Sequence, residues 1–355
     1  MNDYFCVLPF FGYEFGANGS TSHCCLLSKK YDIELLRADM LANTKSEFCN
    51  ACWSLEDKGL PSDRQLKNST LDFYWDRDIE YIKQDAKSGN FKTLMVKNYT
   101  SNTCNSTCVT CSSNSSSAWA PLEKKAGIIP VIPVTMTKSD IIKNLDFKNL
   151  ITLNLIGGEP LYEKLNFFIL EQLLENNNTT CFIQITTNGS VGLTDSQKTL
   201  LSRFRNINVN LSIDGTEKVF EYLRYPLKWN DLLTQLDFFR TVTDNVSVSH
   251  TTSNLNLIYY HETIDWFAEQ KLQYHFNPVS YPACFRPAAL PIEIKEKIIK
   301  KYPSQAMNFF IGDVHTDQDD IDFMKMLDII SVQDKVKNIS FKEFLPDLAK
   351  LLSAD

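Results

Sequence analysis

The sequence predicts an α/β fold built mainly from parallel strand–helix units. From residue 91 onward, apolar strand patterns alternate with helical patterns, as expected of consecutive βα units. Strands are predicted over residues 92–99, 151–156, 181–186, 207–213, 246–251 and 272–279. Helices are predicted between them over residues 138–145, 161–175, 195–204, 229–243 and 257–269. Six such units would form a partial (β/α)6 TIM-type barrel, in which chemistry takes place at the C-terminal ends of the strands.

Two further segments flank the barrel, which is assigned to residues 89–290. Residues 1–88 form a small cysteine-rich domain that ends in a predicted amphipathic helix over 75–86. Residues 291–355 show helical periodicity over 292–302, 321–330 and 341–352, and they contain no cysteine. We expect this C-terminal segment to be a helical cap on the barrel.

Composition excludes several classes of protein. With 355 residues, of which 43% are hydrophobic, the chain can bury a large core. A net charge of -7 disfavours general nucleic-acid binding, because phosphate contacts need a basic surface. No apolar run reaches membrane-spanning length, and the start of the chain lacks the pattern of a signal peptide, so a cytoplasmic location is expected. Ten cysteines in such a chain indicate metal binding rather than disulfides.

Three cysteines follow the first predicted barrel strand directly. Cys104, Cys108 and Cys111 are separated by three and then by two residues. Three thiolates with this spacing can converge on one face of a loop, which suits a 4Fe-4S cluster that leaves one iron open. Two alternatives remain: a zinc site, which needs a fourth nearby ligand, or three unrelated buried thiols.

Polar motifs also follow the next strands. The second strand ends in Gly157, Gly158, Glu159 and Pro160, where paired glycines let the backbone approach a ligand while a carboxylate faces a cation. A plain strand-to-helix turn is the alternative. The third and fourth strands and the segment after them contribute further hydrogen-bonding candidates, which are Asn188, Ser212, Asp214 and Arg224. Asn-Gly and Asp-Gly are also ordinary turn formers, and Arg224 could be a surface residue.

The order of these motifs at successive strand ends resembles the radical S-adenosylmethionine (SAM) family. The resemblance implies that the open iron is chelated by the amino and carboxylate groups of SAM. It also implies that Gly157, Gly158 and Glu159 receive the SAM amino group, with Asn188, Ser212 and Asp214 as further contacts. Arg224 would pair with the SAM carboxylate through a bidentate fork. The chain departs from the family at Thr110, where an aromatic residue usually packs on the adenine.

A second set of cysteines lies in the first domain. It comprises Cys6, the pair Cys24 and Cys25, and the closely spaced Cys49 and Cys52. A hairpin predicted over residues 12–27 around Asn18-Gly19 would bring Cys6 beside the pair. This pattern resembles the twitch or SPASM auxiliary-cluster domain and implies a second 4Fe-4S cluster, although such domains are usually C-terminal. A structural zinc site with four thiolates is the alternative, and the sequence does not distinguish Cys24 from Cys25 as the ligand.

Other polar residues near the strand ends are weaker candidates for contact with the substrate. His250, Asn254 and Asn256 end the fifth strand, and His275 and Asn277 lie on the sixth, but a lone histidine on a strand is usually packed in the core. Cys181 is interpreted as a packing residue. Cys284 could be a ligand of the auxiliary cluster, a thiol hydrogen donor or a small buried residue, and the last is favoured.

The predicted function is therefore reductive cleavage of SAM to a 5′-deoxyadenosyl radical that abstracts a substrate hydrogen. A peptide or protein substrate is expected, because a six-unit barrel should be open at its side and similar proteins often modify peptides. An electron donor such as flavodoxin or ferredoxin is implied, with no membrane partner. The alternatives are a nucleotide or sugar substrate, or a non-catalytic binding protein stabilised by zinc or an iron–sulfur cluster.

Overall fold

The computed structural model describes residues 3–16, 20–27, 30–75, 78–89, 92–132, 136–303, 305–312 and 315–353. It contains eight strands within these residues. They are β1 Gly12–Phe15, β2 Thr21–Ser22, β3 Met95–Asn98, β4 Thr152–Leu155, β5 Phe182–Thr187, β6 Ile207–Ser212, β7 Val246–Thr252 and β8 Gln273–Pro278.

Helices connect most of these strands and make up the C-terminal part of the chain. The α-helices are α1 Leu8–Phe11, α2 Ile33–Leu41, α3 Asn50–Glu56, α4 Asp63–Trp75, α5 Ile79–Lys87, α6 Trp119–Lys125, α7 Lys138–Asn144, α8 Lys164–Glu175, α9 Asp195–Leu201, α10 Glu217–Leu223, α11 Trp229–Val242, α12 Tyr260–Glu269, α13 Ile292–Lys301, α14 Gln305–Ile311, α15 Asp317–Lys337, α16 Phe341–Phe344 and α17 Pro346–Leu352. Short 3-10 helices are Glu47–Cys49, Leu257–Tyr259, Ala283–Phe285 and Pro287–Ala289.

The strands form a mostly parallel sheet in the order β2-β1-β3-β4-β5-β6-β7-β8. Parallel register joins β1 to β3, β3 to β4, β4 to β5, β6 to β7 and β7 to β8, and β2 pairs antiparallel with β1. The predicted α/β class is therefore confirmed, with all six predicted strands present. β1 belongs to the hairpin predicted over residues 12–27, but its parallel pairing with β3 was not predicted, and it extends the parallel order beyond the six expected strands.

The described chain divides into two compact units. The first comprises residues 1–101, 133–185 and 193–208, and the second comprises 102–132, 186–192 and 209–355. An apolar cluster in the first unit gathers the N-terminal residues around Phe5, Phe11 and Leu36 with Leu71 and Ile82. A separate cluster in the second unit packs α15 and its neighbours around Tyr222, Phe285, Met307 and Met326. The predicted division at residues 88 and 290 stays a prediction.

The N-terminal segment matches the sequence prediction in part. Strands β1 and β2 form the predicted hairpin, with Gly16 N donating to Ser20 O at 2.8 Å, while the predicted turn residues Asn18 and Gly19 lie outside the described residues. The helix expected over 75–86 is wrong in its bounds, since α4 and α5 occupy this region instead. The α5 helix begins only at Ile79, where the Asp78 side chain accepts from Glu80 N and caps the first turn.

The remaining predicted helices are present with shifted ends. The expected helix over 321–330 is longer, because a capping box at Thr316 starts α15 at Asp317 and the helix continues to Lys337. The expected helix over 341–352 is split into α16 and α17, which begins at Pro346. Proline has no N–H to donate and is favoured at the first turn, so it separates the two helices. Among the described helices, none is long and apolar enough to cross a membrane.

Candidate metal and cofactor sites

The three cysteines after β3 lie together in the second unit, on a loop that we call the cysteine loop (residues 104–111). The Ser106 hydroxyl lies 3.3 Å from Cys104 Sγ and 3.4 Å from Cys108 Sγ. A hydrogen bond from the Cys111 thiol lowers the pKa of Cys108 to about 6, with help from the Arg224 charge, while the pKa of Cys111 is raised. Cys104 and Cys108 are buried and Cys111 is half-buried. The loop thus presents three soft donors, whose protons must be released when a metal binds.

Side chains from outside the loop hold its backbone carbonyls. Four consecutive carbonyl oxygens, of residues 106–109, each accept a hydrogen bond from a side chain. The donors are Ser116 Oγ at 2.5 Å, Lys337 Nζ at 2.8 Å, Trp119 Nε1 at 3.0 Å and Gln333 Nε2 at 2.9 Å. Because each carbonyl has a fixed partner, the loop is held in shape before any metal arrives.

The loop is also hydrogen-bonded to the segment after α10. Thr107 N donates to Tyr225 O at 2.6 Å and Val109 N donates to Leu223 O at 2.9 Å. These two bonds lie on either side of Arg224, which is the predicted SAM-carboxylate partner. The segment therefore brings the guanidinium close to the thiols, and the Arg224 charge acts on Cys108 and Cys111.

Arg224 forms a buried ion pair with Asp214. Its Nη2 atom lies 2.8 Å from Asp214 Oδ2, and the two residues are 9% and 7% exposed. Burial alone would lower the pKa of Arg224, but the Asp214 carboxylate and the nearby thiols raise it above its ordinary value. Asp214 Oδ1 also accepts from Thr251 N at 2.8 Å. Arg224 Nε is buried without a partner among the described residues, so it retains one donor for a ligand.

Asn188 and Ser212 occupy different positions in the second unit. Asn188 Nδ2 donates to Asn105 Oδ1 at 2.8 Å, which links the end of β5 to the cysteine loop. Ser212 is half-buried at the end of β6, in register with Ser249 of β7. Ser249 in turn accepts from Asn277 Nδ2 of β8 at 2.6 Å, so one face of these strands is polar at this end.

The glycine motif after β4 belongs to the first unit. Gly157 has φ 135°, and a Cβ placed there would lie 2.9 Å from Ser101 O. This close approach and positive φ explain why glycine stands at this position. Glu159 is 1% exposed and its Oε1 accepts from Leu161 N at 3.0 Å. A carboxylate buried so deeply needs positively charged or hydrogen-bonding partners.

Four of the five N-terminal cysteines line one small cavity in the first unit. These are Cys6, Cys24, Cys49 and Cys52. The Cys49-x-x-Cys52 spacing falls at the start of α3, so its first turn directs both residues to the same side. Burial raises the pKa of Cys6, Cys49 and Cys52, and a hydrogen bond to Cys25 raises that of Cys24. Arg64, buried against this cavity, pairs with Glu56 at 2.7 Å, and its charge only partly opposes the rise in the pKa of Cys6.

Cys25 is not among the residues that line that cavity. It is exposed, and Lys97 Nζ donates to its Sγ at 3.0 Å. The Cys24 thiol and then Lys97 lower the pKa of Cys25 to about 5, despite partial burial. Lys97 also lies 3.8 Å from Glu14, whose pKa is raised by burial to about 7. The two adjacent cysteines therefore have different surroundings in the structure, a difference that the sequence did not indicate.

The weaker candidates are mostly buried in packing positions. The His250 ring contacts Tyr260, Phe267 and Phe276, and burial lowers its pKa to about 4. The asparagines Asn254 and Asn256 donate to the carbonyls of Cys284 and Asp214. Cys181, Cys284 and His250 are each 2% exposed or less. His275 is exposed on β8.

The donor sets suit iron–sulfur clusters in their chemistry. Within the described residues, no group of three or more His, Cys, Asp or Glu side chains is arranged to hold a single metal ion. A cubane binds each thiolate through a different iron, so it does not require convergence on one point. The three thiols of the cysteine loop and the four-cysteine cavity therefore fit such groups, and the ligand assignments stay predictions. Sequence reasoning missed Trp119, Gln333 and Lys337, since no motif marks them.

Comparison with known proteins gives likenesses at low identity. No protein-family model matches the chain, and no curated protein matches it. Native anSMEcpe with bound AdoMet and Cp18Cys peptide matches at 18% identity and TM-score 0.40, over 52% of this chain and 50% of that one. Streptococcus suis SuiB bound to S-adenosylmethionine matches at 14% identity and TM-score 0.42, over 83% and 70%. The chain is similar to proteins solved with bound AdoMet.

A third structure is SuiB bound to precursor peptide SuiA, with 14% identity and TM-score 0.41 over 75% of this chain and 61% of that one. The chain thus spans half of the anSMEcpe structure and between 61% and 70% of the two SuiB structures. All these TM-scores lie below 0.5.

Proposed function

We propose that the protein is a radical SAM enzyme in which Cys104, Cys108 and Cys111 hold a 4Fe-4S cluster. The observation that supports this best is the cysteine loop, whose three thiols lie together on a backbone held by fixed partners. When bound, the cluster and SAM together supply a 5′-deoxyadenosyl radical that removes a hydrogen atom from the substrate. The protein's own contribution is to bind, orient and exclude water.

Charged and polar groups of the chain favour the ionised form of the thiols that would hold the cluster, and they orient these thiols. The Arg224 guanidinium favours the thiolate form of Cys108, because an opposite charge stabilises the ionised state. Asp214 fixes the guanidinium at 2.8 Å and so sets where that charge lies. The Ser106 hydroxyl can donate to either neighbouring sulfur. Such hydrogen bonds orient metal ligands and tune the group that they hold.

SAM is proposed to bind at the strand ends. Glu159 would accept its ammonium group, beside the backbone of Gly157 and Gly158. Arg224 would pair with the SAM carboxylate while Nη2 also contacts Asp214, and its buried Nε is one donor available for this. Asn188, Ser212 and Asp214 remain candidates for the ribose and the methionine part.

The four-cysteine cavity is proposed to hold an auxiliary 4Fe-4S cluster through Cys6, Cys24, Cys49 and Cys52. Support comes from the four thiols that line it. Cys25 is left out of the proposed ligand set, because it does not line the cavity and its Sγ accepts from Lys97 Nζ. Zinc with four thiolate ligands is the competing occupant.

The substrate is proposed to be a peptide or protein segment, and a low-potential electron donor is needed for SAM cleavage. β8 is the last strand in the sheet order, and five of its six residues are exposed. This leaves room for a chain beside the polar end of β6, β7 and β8. Transfer of deuterium from labelled peptides into 5′-deoxyadenosine tests the class. Label that arrives only from nucleotides or sugars would contradict it.

Iron analysis tests the central proposal. Anaerobically reconstituted protein should bind about eight irons with matching sulfide, and changing Cys104, Cys108 and Cys111 together to Ala should remove about half. The reduced wild-type protein should convert SAM to 5′-deoxyadenosine and methionine. Two results would overturn the proposal: zinc without iron at the cysteine loop, or S-adenosylhomocysteine as the main product.

A further inference from the structure

Lys337 is a buried cation beside the cysteine loop. It is the last residue of α15 and is 7% exposed. Its Nζ donates to Thr107 O at 2.8 Å and to Gln333 Oε1 at 3.3 Å. The ammonium also lies 4.4 Å from the ring centre of Trp119 and 5.8 Å from that of Tyr225. The charge is thus enclosed between the loop backbone and two aromatic faces.

No carboxylate of the described residues forms an ion pair with this ammonium, since both of its hydrogen-bond acceptors are neutral. The carboxylate of Asp334, one turn earlier on α15, instead accepts from Tyr222 Oη at 2.9 Å and from Phe341 N at 2.7 Å. The helix C-terminus and the ring faces offer only partial negative charge. A buried charge without a counter-charge is costly, so its presence calls for an anion nearby.

Of the groups that can supply full negative charge, Cys108 acts on this ammonium most strongly, followed by Asp334 and Cys111. Burial lowers the pKa of Lys337 to about 8, and the charges of Cys108, Asp334 and Cys111 oppose that shift. The ammonium also binds the carbonyl of Thr107, the residue immediately before Cys108. It therefore lies beside the loop that would carry the net negative charge of a thiolate-bound cluster.

We propose that Lys337 is a positioning residue whose ammonium serves as the counter-charge of the cluster on the cysteine loop and raises its reduction potential. The proposal rests on the proposed function, because it requires the cluster. Reduction adds one electron, supplied by dithionite in the test below, and makes the cluster more negative. A fixed positive charge stabilises that reduced form, and charge and hydrogen bonding near a cluster are known determinants of its potential. Lys337 keeps its proton throughout.

Three substitutions separate charge from hydrogen bonding. Lys337→Gln removes the charge but keeps an N–H donor for Thr107 O, Lys337→Met removes both, and Lys337→Arg keeps both. Lys335→Met is the matched control, because Lys335 is exposed two residues earlier on α15 and its loss changes net charge equally. If Lys337→Met does not fold, the Gln and Arg variants still decide the question.

The measurement is a potentiometric titration of the reconstituted full chain with dithionite, followed by electron paramagnetic resonance. The signal that changes on SAM addition identifies the cluster with the open iron. In Lys337→Gln and Lys337→Met we expect about a tenfold lower ratio of reduced to oxidised cluster at a given potential, which is about 59 mV for one electron. Lys337→Arg and Lys335→Met should retain the wild-type midpoint.

Two outcomes would overturn the inference. The first is a midpoint potential that equals the wild-type value in Lys337→Gln but is lower in Lys337→Met. This would show that the hydrogen bond, and not the charge, sets the potential. An equal shift in Lys335→Met would show a general charge effect. Failure of the unmodified protein to incorporate iron at the cysteine loop would instead refute the proposed function, so the two failures are distinguishable.

Discussion

The ion pair between Asp214 and Arg224 predicts a large energetic coupling. The two charged groups are 2.8 Å apart, and both residues are buried. Removing one partner of a buried pair leaves an uncompensated charge and costs about 3–5 kcal/mol. Asp214→Asn should lie near the lower figure, because its amide oxygen can still accept from Thr251 N. Arg224→Met should cost at least as much, since it leaves a buried carboxylate.

Removing both charges should restore much of this loss. With neither charge present, we expect the double variant to be about 1–2 kcal/mol less stable than the wild type, so the coupling exceeds about 3 kcal/mol. Urea unfolding of the metal-free, reduced protein at pH 7 gives these values from midpoints and slopes. Lys228→Met is the control. It breaks the exposed Lys228–Glu221 pair in the same segment, and exposed pairs contribute about 0–1 kcal/mol.

The reasoning would be refuted if the losses in the two single variants simply added up in the double variant. Distant, independent sites add to within about 0.5 kcal/mol, so additivity would mean that the two charges do not interact strongly. A coupling near that of the exposed control pair would lead to the same conclusion, because it would place the guanidinium in water rather than beside the thiols.

Three further predictions concern single residues. Glu159→Ala should weaken SAM binding by about 1.5–3 kcal/mol, the value of a charge-assisted hydrogen bond, and unchanged affinity in calorimetry would contradict the assigned role. Metal analysis should show that Cys24→Ala loses the metal of the four-cysteine cavity and that Cys25→Ala keeps it. The reverse result would make Cys25, rather than Cys24, the ligand. Gly157→Ala should destabilise the protein by about 1–3 kcal/mol in thermal unfolding, because a Cβ would lie 2.9 Å from Ser101 O at φ 135°, and an unchanged midpoint would contradict this.

The strands of the fold could be predicted because the pattern of apolar and polar residues in each strand reflects which of its side chains are buried. Leu153, Leu155, Ile183 and Ile185 are fully buried, and their alternation with less buried residues is the pattern that identified β4 and β5. The polar sequence of α4 gives no comparable signal, so that helix was missed and the helix that follows it was placed too early.

The partners of the candidate site could not be predicted, because they are distant in the sequence. Lys337 binds a carbonyl 230 residues away and Gln333 binds one 224 residues away. Periodicity places both residues on a helix, but it does not indicate what that helix packs against. The distinction between Cys24 and Cys25 likewise depends on Lys97, which lies 72 residues beyond Cys25. The spacing of the cysteines identified the candidate metal ligands, whereas the side chains around them became apparent only from the fold.

The contacts of α15 with the cysteine loop have a consequence for biosynthesis. Residues 104–111 leave the ribosome well before residues 333 and 337 are translated, and at about 5–20 residues per second this delay lasts at least ten seconds. During that interval the carbonyls of Thr107 and Val109 lack their native donors. We therefore expect the loop to reach its final shape only after α15 has been made, so that metal insertion follows translation. Nascent chains arrested before residue 333 should then expose Cys104, Cys108 and Cys111 to alkylating reagents that the completed protein resists.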